Sequence, residues 1–418
     1  MKLVPFTRAA FFRLSGRPVF MCGFRPFFVL AAAGAVVMMT AWLLMLAGYL
    51  PAGMPGGSLL WHGHELIFGF VTASIAGFVL TAVPEFTHSA SIGRPALAGL
   101  TALWLAARPA YAFAGLWPSW PGLWPAAALN LTLWLCLLVQ IVPAVWHDPQ
   151  RRHLGFAWAL GALALVEAGF FVALATQANA LAWLRLAIGL MMVLIVISAS
   201  RVSMAVVNRR IEEGRPDDPP PGDIGYLARP PRRSLAIFCI VTCSAVEFAL
   251  GHDRITGWTA LAAAAAMLNL LNDWHVGRPL FTRWALMMYA TYWLMAAGYG
   301  LMGASWMGAG LPASAGRHVL MAGAMSLSIF TIMAMAGRIH AGRWLDRRGW
   351  LPAVASGLVL AAVLRAAAGI MALPPLLLTA SGVLWALCFA VYLVMTWPVL
   401  TGPRTDGQTG CAEPLKAK

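Results

Sequence analysis

Charge is scarce in this chain of 418 residues: Asp, Glu, Lys and Arg together make up 11%, against 61% hydrophobic residues and a mean hydropathy of +0.76. That scarcity excludes a soluble domain, in which about a quarter of the residues are charged, and points to a polytopic membrane protein. Acidic residues are the rarer sign, 15 against 29 Lys and Arg, for a net charge of +14. Such a balance would suit nucleic acid, but basic residues are nearly missing from every second loop, and that alternation is the positive-inside pattern of a membrane protein. Cysteine is sparse as well: Cys22, Cys136, Cys239, Cys243, Cys388 and Cys411 show no metal-ligand or disulfide spacing. A short signal-peptide core is also lacking, since the apolar run behind the basic N-terminal stretch is far longer than the ~7–15 residues of an h-region. That first run is therefore expected to be retained.

What is present is a series of apolar runs, each near the ~20 residues a spanning helix needs. They lie near 24–49, 61–83, 96–116, 122–146, 154–176, 180–207, 234–250, 257–271, 284–308, 316–338, 350–371 and 374–400. The expectation is an all-α polytopic fold of about 12 transmembrane helices in one domain over 1–418. Helices 1–6 occupy about 24–207, a Pro- and charge-rich cytoplasmic linker 208–233, helices 7–12 about 234–400, and a cytoplasmic tail 401–418. Arg17 and Arg25, Arg94, Arg151, Arg209 and Arg210, Arg278, Arg343 and Arg404 mark one set of loops, whereas the opposite set offers only Arg254 and Arg317. Both termini are thus expected in the cytoplasm.

Trp61-His62-Gly63-His64-Glu65 stands at the start of the second helix, on the outer side by this count. Ionisable groups at the mouth of a spanning helix are a functional-site hypothesis by default. His318 opens the tenth helix from the same side, and His88 and His340 end those two helices on the cytoplasmic side. A weak internal echo links the pair: His64, Gly69, Ser74 and Ile75 have the spacing of His318, Gly323, Ser328 and Ile329. If the helices pack as neighbours, His64 and His318 enter the membrane at similar depth, as two axial haem ligands on facing helices would. His88 lies 24 residues from His64, about 36 Å along a helix, so any cofactor at the inner pair is a second one. Imidazole suits copper and haem iron alike, which makes His62, His64, His318, His340 and His88 the candidate metal ligands. Glu65, three residues from His62, either fixes a ligand tautomer or carries protons as the catalytic candidate. The plainer alternative is an interfacial belt of Trp61, His62 and His64. Arg108, Glu167, Glu247 and Arg365 are further charges inside helices that each require a partner or water. Arg108 or Arg365 would neutralise haem propionates, and Glu167 would pair with one of them or relay protons.

Several stretches resemble a known family. Phe24-Arg25-Pro26-Phe27-Phe28, the run from Trp61-His62-Gly63-His64-Glu65 to Gly69-Phe70, and Ala76-Gly77-Phe78-Val79-Leu80-Thr81-Ala82-Val83-Pro84 are similar to segments of the NnrS family. So are Leu103-Trp104-Leu105-Ala106-Ala107-Arg108 and the late stretch from Arg317-His318 to His340-Ala341-Gly342-Arg343, so the resemblance covers most of the chain. It implies a multi-pass bacterial inner-membrane protein that binds haem and copper and is linked to nitric oxide and nitrosative stress. The family's paired histidines fall on His62 and His64, its late-helix histidine on His318, and its inner His-x-Gly-Arg on His340. The chain departs from the pattern at Glu85-Phe86-Thr87-His88, where Asn-Trp-Thr-Gly is usual, and matches loosely from Arg201 to Asn208.

The leading expectation is a haem- and copper-binding membrane protein that meets nitric oxide at the outer face and relieves its damage, whether by binding or by turnover. With no Cys-x-x-Cys-His motif any haem is non-covalent, and with no soluble redox domain any electrons come from a partner or the quinone pool. The competing expectation is a transporter or exporter of haem, copper or a nitrosyl-iron species. Transporters favour interrupted helices and substrate groups near the midplane, whereas these histidines cluster at helix ends.

Overall fold

Among the described residues the apolar runs fold into twelve long helices. The computed structural model describes residues 14–51, 53–117, 122–149, 151, 153–208, 226–371 and 375–411. The helices are α1 (Phe24–Leu46), α2 (Gly57–Thr87), α3 (Arg94–Ala112), α4 (Trp124–His147), α5 (Leu154–Ala175) and α6 (Ala180–Val207). They continue with α7 (Pro230–Leu250), α8 (Arg254–Leu271), α9 (Arg283–Trp306), α10 (Ala313–Ile339), α11 (Trp350–Ile370) and α12 (Pro375–Thr401). Among the described residues there is no strand. Ten of these helices are long and apolar enough to cross a membrane. The other two, α3 and α9, fill the expected third and ninth places.

The helix bounds follow the hydropathy pattern to within a few residues, and the starts of α2 and α7 fall earlier than expected for local reasons. Pro230 and Pro231 open α7, where their missing N–H groups cost nothing and their fixed φ suits the first turn. Residues 1–13, most of the expected linker (209–225) and 412–418 lie outside the described residues. The linker's described end is pinned: the Tyr226 hydroxyl donates to Ser203 Oγ (3.0 Å) and the Arg229 N–H donates to Asp273 Oδ2 (3.0 Å).

Which helices lie inside depends on what they carry. Small and polar residues gain nothing from lipid, whereas they let helices approach closely and hydrogen-bond across the interface. Accordingly, 89% of the apolar window of α2 and 72% of that of α10 is buried, against 28–61% in the other spans. Around this pair the remaining helices pack mostly in chain order, and α12 returns onto α1 to close the ring. The ring turns its large apolar side chains outward, among them Leu135, Trp158, Leu165, Phe238 and Leu376.

Both central helices are interrupted in the same register. A seven-residue π segment runs from Glu65 to Val71 in α2 and another from Val319 to Met325 in α10. Each begins one residue after the histidine of the echo, so the shared spacing of His64 and His318 has a structural counterpart. A π turn inserts one extra residue and rotates the remainder of the helix, a device concentrated at functional sites.

The expectation that the cysteines are unpaired is corrected by the fold. Cys22 and Cys411 meet as a pair, with Cα atoms 5.4 Å apart across 389 residues of sequence. Spacing along the chain hides such a pair because the segment after α12 folds back: Arg25 Nη1 donates to Gly402 O (2.6 Å) and Arg404 Nη1 to His340 O (2.9 Å).

Candidate cofactor site at the His62 end

A His-x-His step on a helix places its two rings about 200° apart, because each residue turns the helix by about 100°. His62 and His64 therefore look to opposite sides of α2, and the two sides differ in kind.

His64 faces α3, α4 and α5 and is fully buried. Its Nδ1 lies 3.1 Å from Glu65 Oε1 and its Nε2 lies 3.0 Å from Glu167 Oε1. Arg108 Nη1 donates to Glu65 Oε2 at 2.9 Å and its Nη2 to Asn130 Oδ1, while the Trp134 indole N–H donates to Glu167 Oε2. Phe170 stacks on the imidazole at 5.0 Å, and Tyr111 and Phe171 meet it edge-on at 4.9 and 5.1 Å. Two carboxylates and one guanidinium leave one negative charge in a dry site, and such a charge must be neutralised. A single proton shared by His64, Glu65 and Glu167 does so, and it also supplies the donors that the two imidazole–carboxylate contacts require. The π segment fits this cluster to α3, with the Trp104 indole N–H donating to Gly69 O at 3.0 Å. A Cβ on Gly69 would stand 2.8 Å from Arg108 Nη1, so a larger residue would have to push the guanidinium aside.

His62 faces a cavity of about 310 Å³ between α2, α6 and α10, and His318 lines the same cavity. Trp42 stacks on the His62 ring at 4.2 Å, and the buried Nδ1 has no hydrogen-bond partner. His318 Nδ1 stands 2.7 Å from Ser314 O. A carbonyl can only accept, so that nitrogen carries the proton and Nε2 keeps its lone pair, the tautomer a backbone contact sets for a metal-binding imidazole.

Basic residues crowd the rest of this cavity. Arg185, His252 and Arg317 line it. Arg317 forms a two-point bond with Glu247 (2.5 and 3.2 Å), and Arg185 Nη1 and Arg317 Nη2 each stand 3.0 Å from His252 Nε2. Burial first, and then the Arg185 guanidinium, hold His252 below its ordinary pKa in the loop between α7 and α8. The same Nε2 lies 3.1 Å from Glu247 Oε1, and two guanidiniums against one carboxylate leave the cluster a net positive charge suited to an anionic group.

The NnrS protein family model matches residues 18–404. The chain belongs to the NnrS family. That membership makes it a membrane protein of the nitric-oxide response. A search of the curated proteins returned no match.

In this NnrS chain the structure brings His62 and His318 to one cavity and leaves His64 outside it, with both of its ring nitrogens already engaged. Glu65 is turned toward Arg108 and His64 rather than toward His62. Arg108 belongs to the same buried cluster and does not line the cavity. The cationic wall comes instead from Arg185 and Arg317. Arg185 was legible as a lone charge in the apolar start of α6, but Arg317 reads in sequence as an ordinary loop residue.

At the opposite end His340 lines a second cavity, about 340 Å³, with Glu85 and Arg201. Its Nε2 is 3.4 Å from Glu85 Oε2, and burial together with the Arg404 charge pushes its pKa down to about 4. His88 does not join it and ends α2 at a positive φ of 51°. Among the described residues no three His, Cys, Asp or Glu side chains come together as metal ligands.

Proposed function

We propose that the cavity between α2, α6 and α10 would hold a non-covalent haem, with His62 and His318 as the residues that would hold it, and that this site meets nitric oxide at the outer face of the membrane. The observation that carries the reading is the His62 imidazole, buried at Nδ1 without a partner and facing the cavity shared with His318. An unpartnered polar atom in a protein interior costs about 1–3 kcal/mol, and ligation in the cavity would explain why a polar ring is kept there. A haem bound there supplies an iron centre whose distal environment decides gas binding. Trp42 fixes the plane of the His62 ring, and Ser314 fixes the tautomer of His318. Arg185 and Arg317 supply the positive charge that haem carboxylates require. Glu65, with His64 and Glu167, lies on the far side of α2 and would steady the helix that presents His62.

The test is the absorption spectrum of the purified full chain, reduced and then exposed to nitric oxide, beside His62→Ala, His318→Ala and His64→Gln. The expected result is a haem spectrum that shifts with nitric oxide and is lost in the first two variants and retained in the third. Haem retained in His62→Ala and lost in His64→Gln would overturn the assignment. A second reading, a transporter of haem, copper or a nitrosyl-iron species, is favoured by the π interruptions in both central helices. A colourless, metal-free wild-type protein would move the conclusion to that reading.

A further inference from the structure

The cavity of His62 and His318 does not end at the membrane's middle. A third, smaller cavity of about 60 Å³ lies between it and the cavity of His340. The three form one row, because single side chains separate them: Met325 borders the first two, and Phe28, Phe78 and Ile332 border the second and third.

Three helices line the row. On α6 the stripe runs through Arg185, Ile188, Leu194, Ser198, Arg201 and Ala205, and on α10 through His318, Met325, Ser328, Ile332 and His340. On α2 it passes His62, Ser74, Phe78 and Glu85. From the central cavity onward the steps are of three, four, seven or eight residues, as in Leu194, Ser198, Arg201 and Ala205 of α6, and such steps keep a stretch of helix facing one way. The two π segments end at Val71 and Met325, and both of these residues line the central cavity. The matched interruptions of α2 and α10 thus lie where the wide cavity at the His62 end narrows.

The central cavity is built against ions. Among the described residues no ionisable group lines it. Two of its hydroxyls are spent on their own helices, Ser74 donating to Phe70 O (3.2 Å) and Ser198 to Leu194 O (2.8 Å). An ion there would lose its hydration shell and gain no partner. A small uncharged molecule meets no such penalty, and the space is several times the ~10–15 Å³ that one water needs. The separating side chains are suited to momentary opening: Met325 is an unbranched thioether with three rotatable bonds.

We propose that α2, α6 and α10 enclose a passage for a small uncharged molecule of two or three atoms, joining the cavity of His62 and His318 to that of His340 and closed to ions. Naming nitric oxide as the cargo rests on the reading given above; the passage does not.

The first test is xenon pressure applied to crystals of the full chain. Xenon is expected in the central cavity and absent from it in Ser328→Phe, with Ser198→Leu as a second filling variant from the opposite wall. Xenon in the outer cavity but never in the central one would overturn the passage. The second test is recombination of nitric oxide after flash photolysis of the haem-loaded protein. The two filling variants are expected to change the rate several-fold with an unchanged absorption spectrum, and unchanged rates would overturn the passage. A protein without haem would defeat the haem reading alone, and the xenon result would then decide the passage.

Discussion

The two sides of α2 carry the same kind of side chain in opposite states of satisfaction. On one side His64 has both nitrogens bonded, an aromatic cage, and a charge balance completed by Arg108. On the other, two residues earlier, His62 has a ring stacked on Trp42 and a buried nitrogen with nothing to bond. Burial alone does not separate a structural histidine from a binding one, since both rings lie inside the bundle. The separation comes from counting donors and acceptors. A histidine whose valences are all met holds helices together, and one whose valence is open is left able to take a ligand.

That contrast can be broken most severely from the satisfied side. Arg108→Met leaves Glu65 and Glu167 with one proton between them, and it is expected to cost about 3–5 kcal/mol. The loss is read as thermal unfolding in detergent. The double variant Arg108→Met/Glu65→Gln removes a matched pair and is expected to be more stable than Arg108→Met alone, a coupling that a double-mutant cycle measures. Gly69→Ala comes next, at about 1–3 kcal/mol, because its methyl group must displace Arg108 from the π segment.

His340 gives the comparison an intermediate case, buried but only loosely paired. Its pKa falls from 6.5 to about 4 on folding. Between those values the unfolded chain binds more protons than the folded one, so stability is full above pH 6.5 and falls as the pH drops through this window. A loss of about 1–2 kcal/mol is expected on going to pH 5, and it should be missing in His340→Asn; an equal loss in that variant would place the titration elsewhere. The smallest stability effect is expected on the open side of α2. There His62→Ala removes one stacked ring, worth about 0.5–1.5 kcal/mol beyond its area. A destabilisation as large as that of Arg108→Met would show that His62 is structural after all.

Much of the fold was legible because lipid imposes it. A run such as Leu154–Ala175 or Trp350–Ile370 must be a helix, and its length is set by the bilayer. The π segments were not legible, since a single inserted residue leaves hydropathy unchanged. The candidate site was half legible. His62, His318 and Glu65 were singled out because ionisable groups at helix mouths are expensive, but the pairing of His64 with His318 assumed that an echo in spacing meant facing side chains. The angle between residues two apart already forbade His62 and His64 from sharing a face. What sequence alone does not carry is which face turns toward α10, because that depends on how α3, α4 and α5 pack around Arg108, Asn130 and Glu167.

The buried cluster also sets an order of assembly. α2 reaches the membrane with Glu65 and His64 before Arg108 on α3 or Glu167 on α5 has been synthesised. Until those later helices arrive, the most buried helix of the protein carries Glu65 without its partner. Glu65 and His64 therefore reach their final partners only once the first five helices have been made, and those five form the smallest unit in which the cluster is complete.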